Sequence, residues 1–270
     1  MSPSQTRLGK NAARLTSVVK NLIFSPVCPL CRADTEMPDA LCRTCWADVA
    51  FLDGPGCRFC GRPMDVGMFP VEDLICEDCM QFPKLWQRGS AVFRYEGAGR
   101  RLVLGLKHGD RLDRVPMLSR LAIRAAGPLV QEPGIVVPIP LHWRRRLKRR
   151  ANQAAELGRA VAVMCPVLGF APQALIRDRN TGSQDGKDRE SRTQNILGAF
   201  RPGPGADALK GQRVLLIDDV LTTGATLNEA TKVCLAAGAT SVDISVLALV
   251  VRDHRHYIGV ESEEQSYEVS

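Results

Sequence analysis

Eight cysteines in four pairs of one form, Cys28/Cys31, Cys42/Cys45, Cys57/Cys60 and Cys76/Cys79, constrain this chain more than any other feature. Two residues separate the members of each pair, which puts two sulfurs on one tight turn and suits a tetrahedral metal. Disulfides impose no such rhythm. The spacing therefore predicts a cytoplasmic protein holding Zn²⁺ in place of a secreted disulfide scaffold. Tetrahedral coordination by four thiolates uses two turns per ion, so four turns make two sites. Sequential pairing gives Cys28, Cys31, Cys42 and Cys45 for one ion and Cys57, Cys60, Cys76 and Cys79 for the other. Interleaved pairing stays open on spacing alone, and an iron–sulfur cluster is a minor alternative. With every ligand a cysteine, no position is left for water, and the two zincs are expected to be structural. The segment's larger apolar side chains are few (among them Leu41, Trp46, Phe51 and Phe59), so metal binding has to supply much of its folding free energy. Cys165 and Cys234 fall in helical or helix-end contexts and read as core residues.

A chain of 270 residues has room for one sizeable core plus a smaller unit. Hydrophobic residues at 45% and charged residues at 24% describe a globular protein and exclude a disordered or fibrous one. No apolar run is long enough to span a bilayer, so no membrane span is expected. Aromatics make up only 5%, poor material for stacking bases. The formal charge of +7 would fall to about +3 with eight thiolates and two Zn²⁺ in place, a modest basic excess. Residues 1–25 are basic and place Leu8, Ala12, Leu15, Val19 and Leu22 at helical spacing, too interrupted for a signal peptide core. They read as a basic helix packed on a double zinc-ribbon module at 26–82. Residues 90–252 form the main body, and the acids of 253–270 a flexible tail.

Within the body, 90–95 reads as a strand, Gly97 and Gly99 as a turn, and Arg101–Lys107 as the start of a helix. Residues 135–139 are a short buried strand feeding a loop at Pro140-Leu141-His142. Arg144, Arg145, Arg146, Lys148, Arg149 and Arg150 then place six cations in seven positions, facing solvent, pyrophosphate or a nucleic-acid backbone. A helix follows from about Gln153 and a strand at 174–176. The polar stretch 177–195 has the length and composition of an active-site lid or a disordered excursion. Strands at 214–217 and 242–250 flank a helix opening near Thr226. Apolar strands alternating with helices predict an α/β fold, a mostly parallel sheet with helices on both faces.

The sharpest motif is Leu215-Leu216-Ile217-Asp218-Asp219-Val220-Leu221-Thr222-Thr223-Gly224-Ala225-Thr226. A buried strand ends in two acids, a small-residue loop follows, and Thr226-Leu227-Asn228-Glu229 reads as a capping box opening a helix. Loop N–H groups entering a helix make an anion seat. Thr222, Thr223 and Thr226 add hydroxyl donors, and Gly224 permits close backbone approach. Asp218 and Asp219 can accept hydrogen bonds from two sugar hydroxyls. Together these describe a site for a ribose bearing a 5′-phosphate.

Residues 217–226 resemble the phosphoribosyl pyrophosphate (PRPP) motif of type I phosphoribosyltransferases. The chain over about 26–252 is similar to the ComF family of competence proteins, in which a double zinc ribbon precedes such a domain. The resemblance extends through Tyr95-Glu96-Gly97, Leu106-Lys107-His108-Gly109 and Val137-Pro138-Ile139-Pro140-Leu141-His142. It continues through Asn152-Gln153-Ala154, Thr181-x-x-Gln184 and Arg192-x-x-Asn195-x-x-Gly198-Ala199-Phe200. It implies that Asp218 and Asp219 hold the ribose hydroxyls directly or through Mg²⁺, and that Thr222, Thr223, Gly224, Ala225 and Thr226 hold the phosphate. It further implies a pyrophosphate-side loop at 138–142 and a hood at 179–197. Lys107 and Arg144 are candidate pyrophosphate neutralisers. Two functions follow from the resemblance: an accessory protein of DNA uptake that meets single-stranded DNA and a helicase, or a working phosphoribosyltransferase, amidophosphoribosyltransferase-like, with an unidentified acceptor.

Overall fold

The computed structural model describes residues 25–65, 70, 74–108, 111–141, 152–178 and 196–251. The expected basic helix at 1–25, the cation run with Arg144, most of the hood and the acidic tail lie outside the described residues.

Five strands form the main sheet: β1 (Gly89–Arg94), β2 (Gly134–Pro138), β3 (Leu168–Phe170), β6 (Arg213–Leu221) and β7 (Ser241–Leu249), in the order β1-β7-β6-β2-β3. Every pairing in it is parallel. The expected parallel α/β body is therefore present, and its central strands are apolar throughout because both faces are covered. Among the described residues no helix is long and apolar enough to cross a membrane.

Each face of the sheet has its own core. Val214, Leu216, Val242, Ile244 and Val246 pack with helix α6 (Ala225–Ala236), which carries Leu227, Ala230 and Cys234 inward. An antiparallel hairpin of β4 (Leu175–Arg177) and β5 (Phe200–Pro202) adds Leu175 and Phe200 to this face. Leu215, Ile217 and Leu247 pack on the other face with α3 (Gly97–His108), α4 (Val115–Ala126) and α5 (Gln153–Met164). The cysteine module, with short helices α1 (Arg43–Ala47) and α2 (Glu77–Gln81), straddles the β1 edge. Cys28 and Cys45 join the α3–α5 core, while Cys57, Cys60, Cys76 and Cys79 join the α6 core. Between its two halves, the Leu52 N–H donates to Val92 O at 3.0 Å and the Arg94 N–H donates to Ala50 O at 2.8 Å. An edge strand that would otherwise offer unpaired backbone to other chains is thereby closed.

Two expectations differ from the structure, and one helix had no counterpart among them. Gly97 and Gly99 do not form a turn; α3 begins at Gly97. These positions are glycine because a Cβ would lie 2.9 Å from Asp48 O at Gly97 and 2.7 Å from the Phe93 ring at Gly99. Helix α4 was not anticipated, although Val115, Leu118, Ala122 and Ala126 repeat at helical spacing and are buried. The strand expected at 214–217 does not stop before the acids. Its ladder runs on through Asp218↔Val246 to Leu221↔Leu249, so both carboxylates belong to β6.

Candidate functional site

Both metal clusters are built alike, from a tight turn and a short helix. In the first, the Arg32 N–H donates to Cys28 O at 2.9 Å and Arg32 adopts φ 68°; in the second, the Gly61 N–H donates to Cys57 O at 2.8 Å and Gly61 adopts φ 73°. The remaining pairs sit at helix starts, with Cys42 capping α1 and Cys76 capping α2. These turns bring together Cys28, Cys31, Cys42 and Cys45 in one group and Cys57, Cys60, Cys76 and Cys79 in another, with all sulfurs of a group within 4.8 Å of one another. Sequential pairing is thus the arrangement the fold adopts. Zn–S bonds of about 2.3 Å require sulfurs about 3.8 Å apart. Cys31 and Cys42 lie 3.5 Å apart and Cys60 and Cys76 3.7 Å apart, so the donor sets fit zinc. The second group is wholly buried, whereas Cys31 is exposed and Cys42 half-buried. Outside the clusters, Cys234 is a core thiol, its pKa pushed up to about 12 by burial. Cys165 caps the end of α5.

The second candidate site lies where β6 runs into α6. Asp218 and Asp219 are adjacent and half-buried, and the Asp219 N–H donates to Asp218 Oδ1 at 2.9 Å. Neighbouring strand residues face opposite sides. Both acids nevertheless feel one cation: Lys107 Nζ from α3 reaches Asp219 Oδ2 at 3.2 Å and also acts on Asp218, on which Arg177 from β4 has a smaller effect. Burial, followed by the neighbouring Asp219 charge, pushes the Asp218 carboxyl up to about 7. The loop after β2 lies alongside, its Ile139 N–H donating to Ile217 O at 2.9 Å. Asn152 Nδ2 in turn donates to Ile139 O at 3.2 Å.

Beyond the acids, Thr222 is exposed, Thr223 is buried and Gly224 turns left-handed at φ 84° to start α6. The first N–H groups of a helix have no intrahelical acceptor and can serve an anion; here the Ala225 N–H donates to Thr223 Oγ1 at 3.4 Å. The expected capping box is not formed. Gly224 is the N-cap and Thr226 lies within the first turn. Glu229, the reciprocal member of that box, instead accepts from the Gly198 N–H at 2.8 Å and pairs with Lys232 at 3.3 Å. Lys107 stands on the acid pair, and Thr222–Thr226 stand together at the helix start.

The sequence reading overlooked what lies behind that loop. Lys84 Nζ donates to Thr223 O at 3.4 Å, and the Leu85 N–H donates to Asn228 Oδ1 at 2.9 Å. Trp86, only 1% exposed, packs against Gly224. The available signal was a tryptophan placed between the last cysteine pair and the first strand of a chain with only three.

Residues 19–80 match the double zinc ribbon domain, and residues 170–265 match the phosphoribosyl transferase domain. With the parallel sheet and the two cysteine clusters, these matches define the class: a zinc-ribbon protein whose body resembles the type I phosphoribosyltransferase fold. The DNA utilization protein YhgH of Escherichia coli O157:H7 is 30% identical over 228 residues, covering 81% of this chain and 94% of the relative. Competence protein F of Haemophilus influenzae is 26% identical over 83% of this chain and 97% of its own length. Competence protein ComFC of Bacillus subtilis is 25% identical over 78% and 84%. The chain belongs to the ComF family of competence proteins.

Proposed function

We propose that the carboxyl end of β6 binds the ribose 5-phosphate moiety of PRPP together with Mg²⁺, and that the chain serves as an accessory protein in the use of internalised single-stranded DNA. The observation that carries the ligand is the juxtaposition of Asp218 and Asp219 with a glycine-started helix bearing Thr222, Thr223 and Thr226. Two adjacent carboxylates, one of them held well above its ordinary ionisation range, favour a divalent cation or hydroxyl donors at that position. Helix N–H groups and threonine hydroxyls beside them favour a phosphate. The role in DNA use rests on the relatives named for competence and DNA utilization; a helicase partner rests only on the ComF resemblance of the sequence.

Each charge-assisted hydrogen bond to a sugar hydroxyl contributes roughly 1.5–3 kcal/mol. The Asp218→Asn/Asp219→Asn double variant is therefore expected to bind ribose 5-phosphate at least about tenfold more weakly while staying folded. Calorimetric titration with Mg²⁺ present reads this directly. Equal affinity in parent and double variant would remove the acids from the site.

A second reading is an active phosphoribosyltransferase. It is favoured by the presence of both acids and all three threonines. Transfer breaks the C1–pyrophosphate bond with oxocarbenium-like charge, so this site's residues would act by positioning the sugar and stabilising charge. Pyrophosphate release that depends on an added nucleobase, amine or DNA acceptor separates this reading from ligand binding alone.

A further inference from the structure

The second metal cluster and the phosphate loop share a wall, and Trp86 is that wall. The loop between Cys57 and Cys60 offers Phe59 O, which accepts from Trp86 Nε1 at 2.8 Å. That loop is itself clamped to the sheet edge. The Gly89 N–H donates to Arg58 O at 2.8 Å, Arg58 Nε donates to Gln87 O at 3.0 Å, and a Cβ on Gly89 would lie 2.1 Å from Phe59 O. The far edge of the same indole abuts the N-cap of α6, where a Cβ on Gly224 would come 2.9 Å from Trp86 Cη2. The two residues before Trp86 grip the same helix start, through Lys84 to Thr223 O and Leu85 to Asn228. A phosphate seat made of backbone N–H groups holds its geometry only as well as the chain behind it is held.

We propose that Trp86 is a positioning residue that couples metal occupancy of the Cys57/Cys60/Cys76/Cys79 cluster to the shape of the phosphate loop. This rests on the ribose 5-phosphate reading above. Metal at that cluster fixes the 57–60 turn, the turn fixes the indole through Phe59 O, and the indole fixes the backbone at Gly224. The first cluster has a different neighbour. Its Pro29 O accepts from Arg114 Nη2 at 2.8 Å, and Arg114 donates onward to Arg101 O and Leu102 O of α3, the helix whose Lys107 meets the acids and not the phosphate loop. Only the second metal should therefore sense a ligand at the start of α6. Coupling between two sites is reciprocal. The ligand must tighten that zinc by the same factor by which the zinc tightens the ligand.

The test uses the full zinc-loaded chain, ribose 5-phosphate as the probe, and equilibrium competition with a chromogenic chelator. In the parent chain one of the two zincs should be held about fivefold or more tightly when the probe is saturating, and the other should be unchanged. Trp86→Phe fills most of the same space but lacks the N–H and the reach to Gly224. It is expected to keep two zincs, bind the probe about fivefold or more weakly, and lose the effect of probe on zinc. The coupling is overturned by parent-like affinity in a two-zinc Trp86→Phe chain. It is equally overturned by a parent that binds the probe with no change in zinc affinity, a measurement that needs no variant at position 86. A parent that binds no probe at all instead removes the ribose 5-phosphate reading on which the coupling rests.

Discussion

Replacing Asp243 by Ala is expected to cost about 3–5 kcal/mol of folding free energy. Asp243 is fully buried on β7, and its carboxylate accepts from Arg88 Nε at 3.2 Å, Arg88 Nη2 at 2.8 Å and Arg213 Nη1 at 2.8 Å. Arg88 is also held bidentately by Glu132 at 2.8 and 2.7 Å, and Arg213 Nη2 reaches Leu129 O and Glu132 O at 2.8 and 2.7 Å. The network ties the entry to β1, β2, β6 and β7 at one end of the sheet, opposite the acids. The Arg213 side chain is only 11% exposed. Removing the carboxylate therefore leaves desolvated guanidinium charge without its main counterion, and that penalty exceeds the value of the lost contact. Asp243→Asn should lose less, because its amide oxygen can still accept from Arg88 Nη2 and Arg213 Nη1 while its NH₂ faces only Arg88 Nε. Urea denaturation of zinc-saturated protein reads both, and a loss below about 1 kcal/mol for the Ala variant would show the network to be ornamental.

Asp218→Asn is expected to do the opposite, and to do it in a pH-dependent way. Its folded-state carboxyl titrates near about 7 against an ordinary 3.8, because burial and the Asp219 charge both disfavour ionisation. A raised carboxyl pKa means the folded state holds the proton more tightly than the unfolded chain. Stability then falls as pH rises from about 4 to about 7, and stays low above it. At pH 8 the ionised Asp218 carries the whole penalty, on the order of 2–4 kcal/mol, and the Asn variant escapes it. Near pH 5.5 roughly half of the advantage remains. Thermal melts of both proteins across this window check it. A constant difference, or a variant less stable than the parent at pH 8, would contradict the assignment of strain to this carboxyl. Stability sacrificed at one carboxylate pair is the pattern expected of the proposed binding site.

The parallel body and the place of the candidate site at a strand end were legible in the chain because they rest on local pattern. Apolar runs such as Val214–Ile217 have no polar face, and only a sheet covered on both sides accommodates them. Cysteine pairs at a fixed gap announced two four-cysteine clusters that fit zinc. What stayed hidden depends on contacts between distant segments. Gly97 and Gly99 look like turn residues in sequence, and their requirement for closeness to Asp48 and Phe93 appears only once α3 packs. Thr226 fits a capping pattern, yet Trp86 pressing on Gly224 and Gly198 recruiting Glu229 move the cap two residues earlier. The alternation of two cores, one cluster of cysteines in each, could not be read from spacing, because it follows from the module straddling the β1 edge.

The end of β6 and the start of α6 are proposed to hold a ribose carrying a 5′-phosphate. One titration of the full zinc-loaded chain with PRPP in the presence of Mg²⁺ tests it most directly. The account predicts saturable heat at one ligand per chain, displaced by ribose 5-phosphate and unaffected by ribose lacking the phosphate. No binding of PRPP at millimolar concentration, in protein shown to carry both zincs and to be folded, would contradict it.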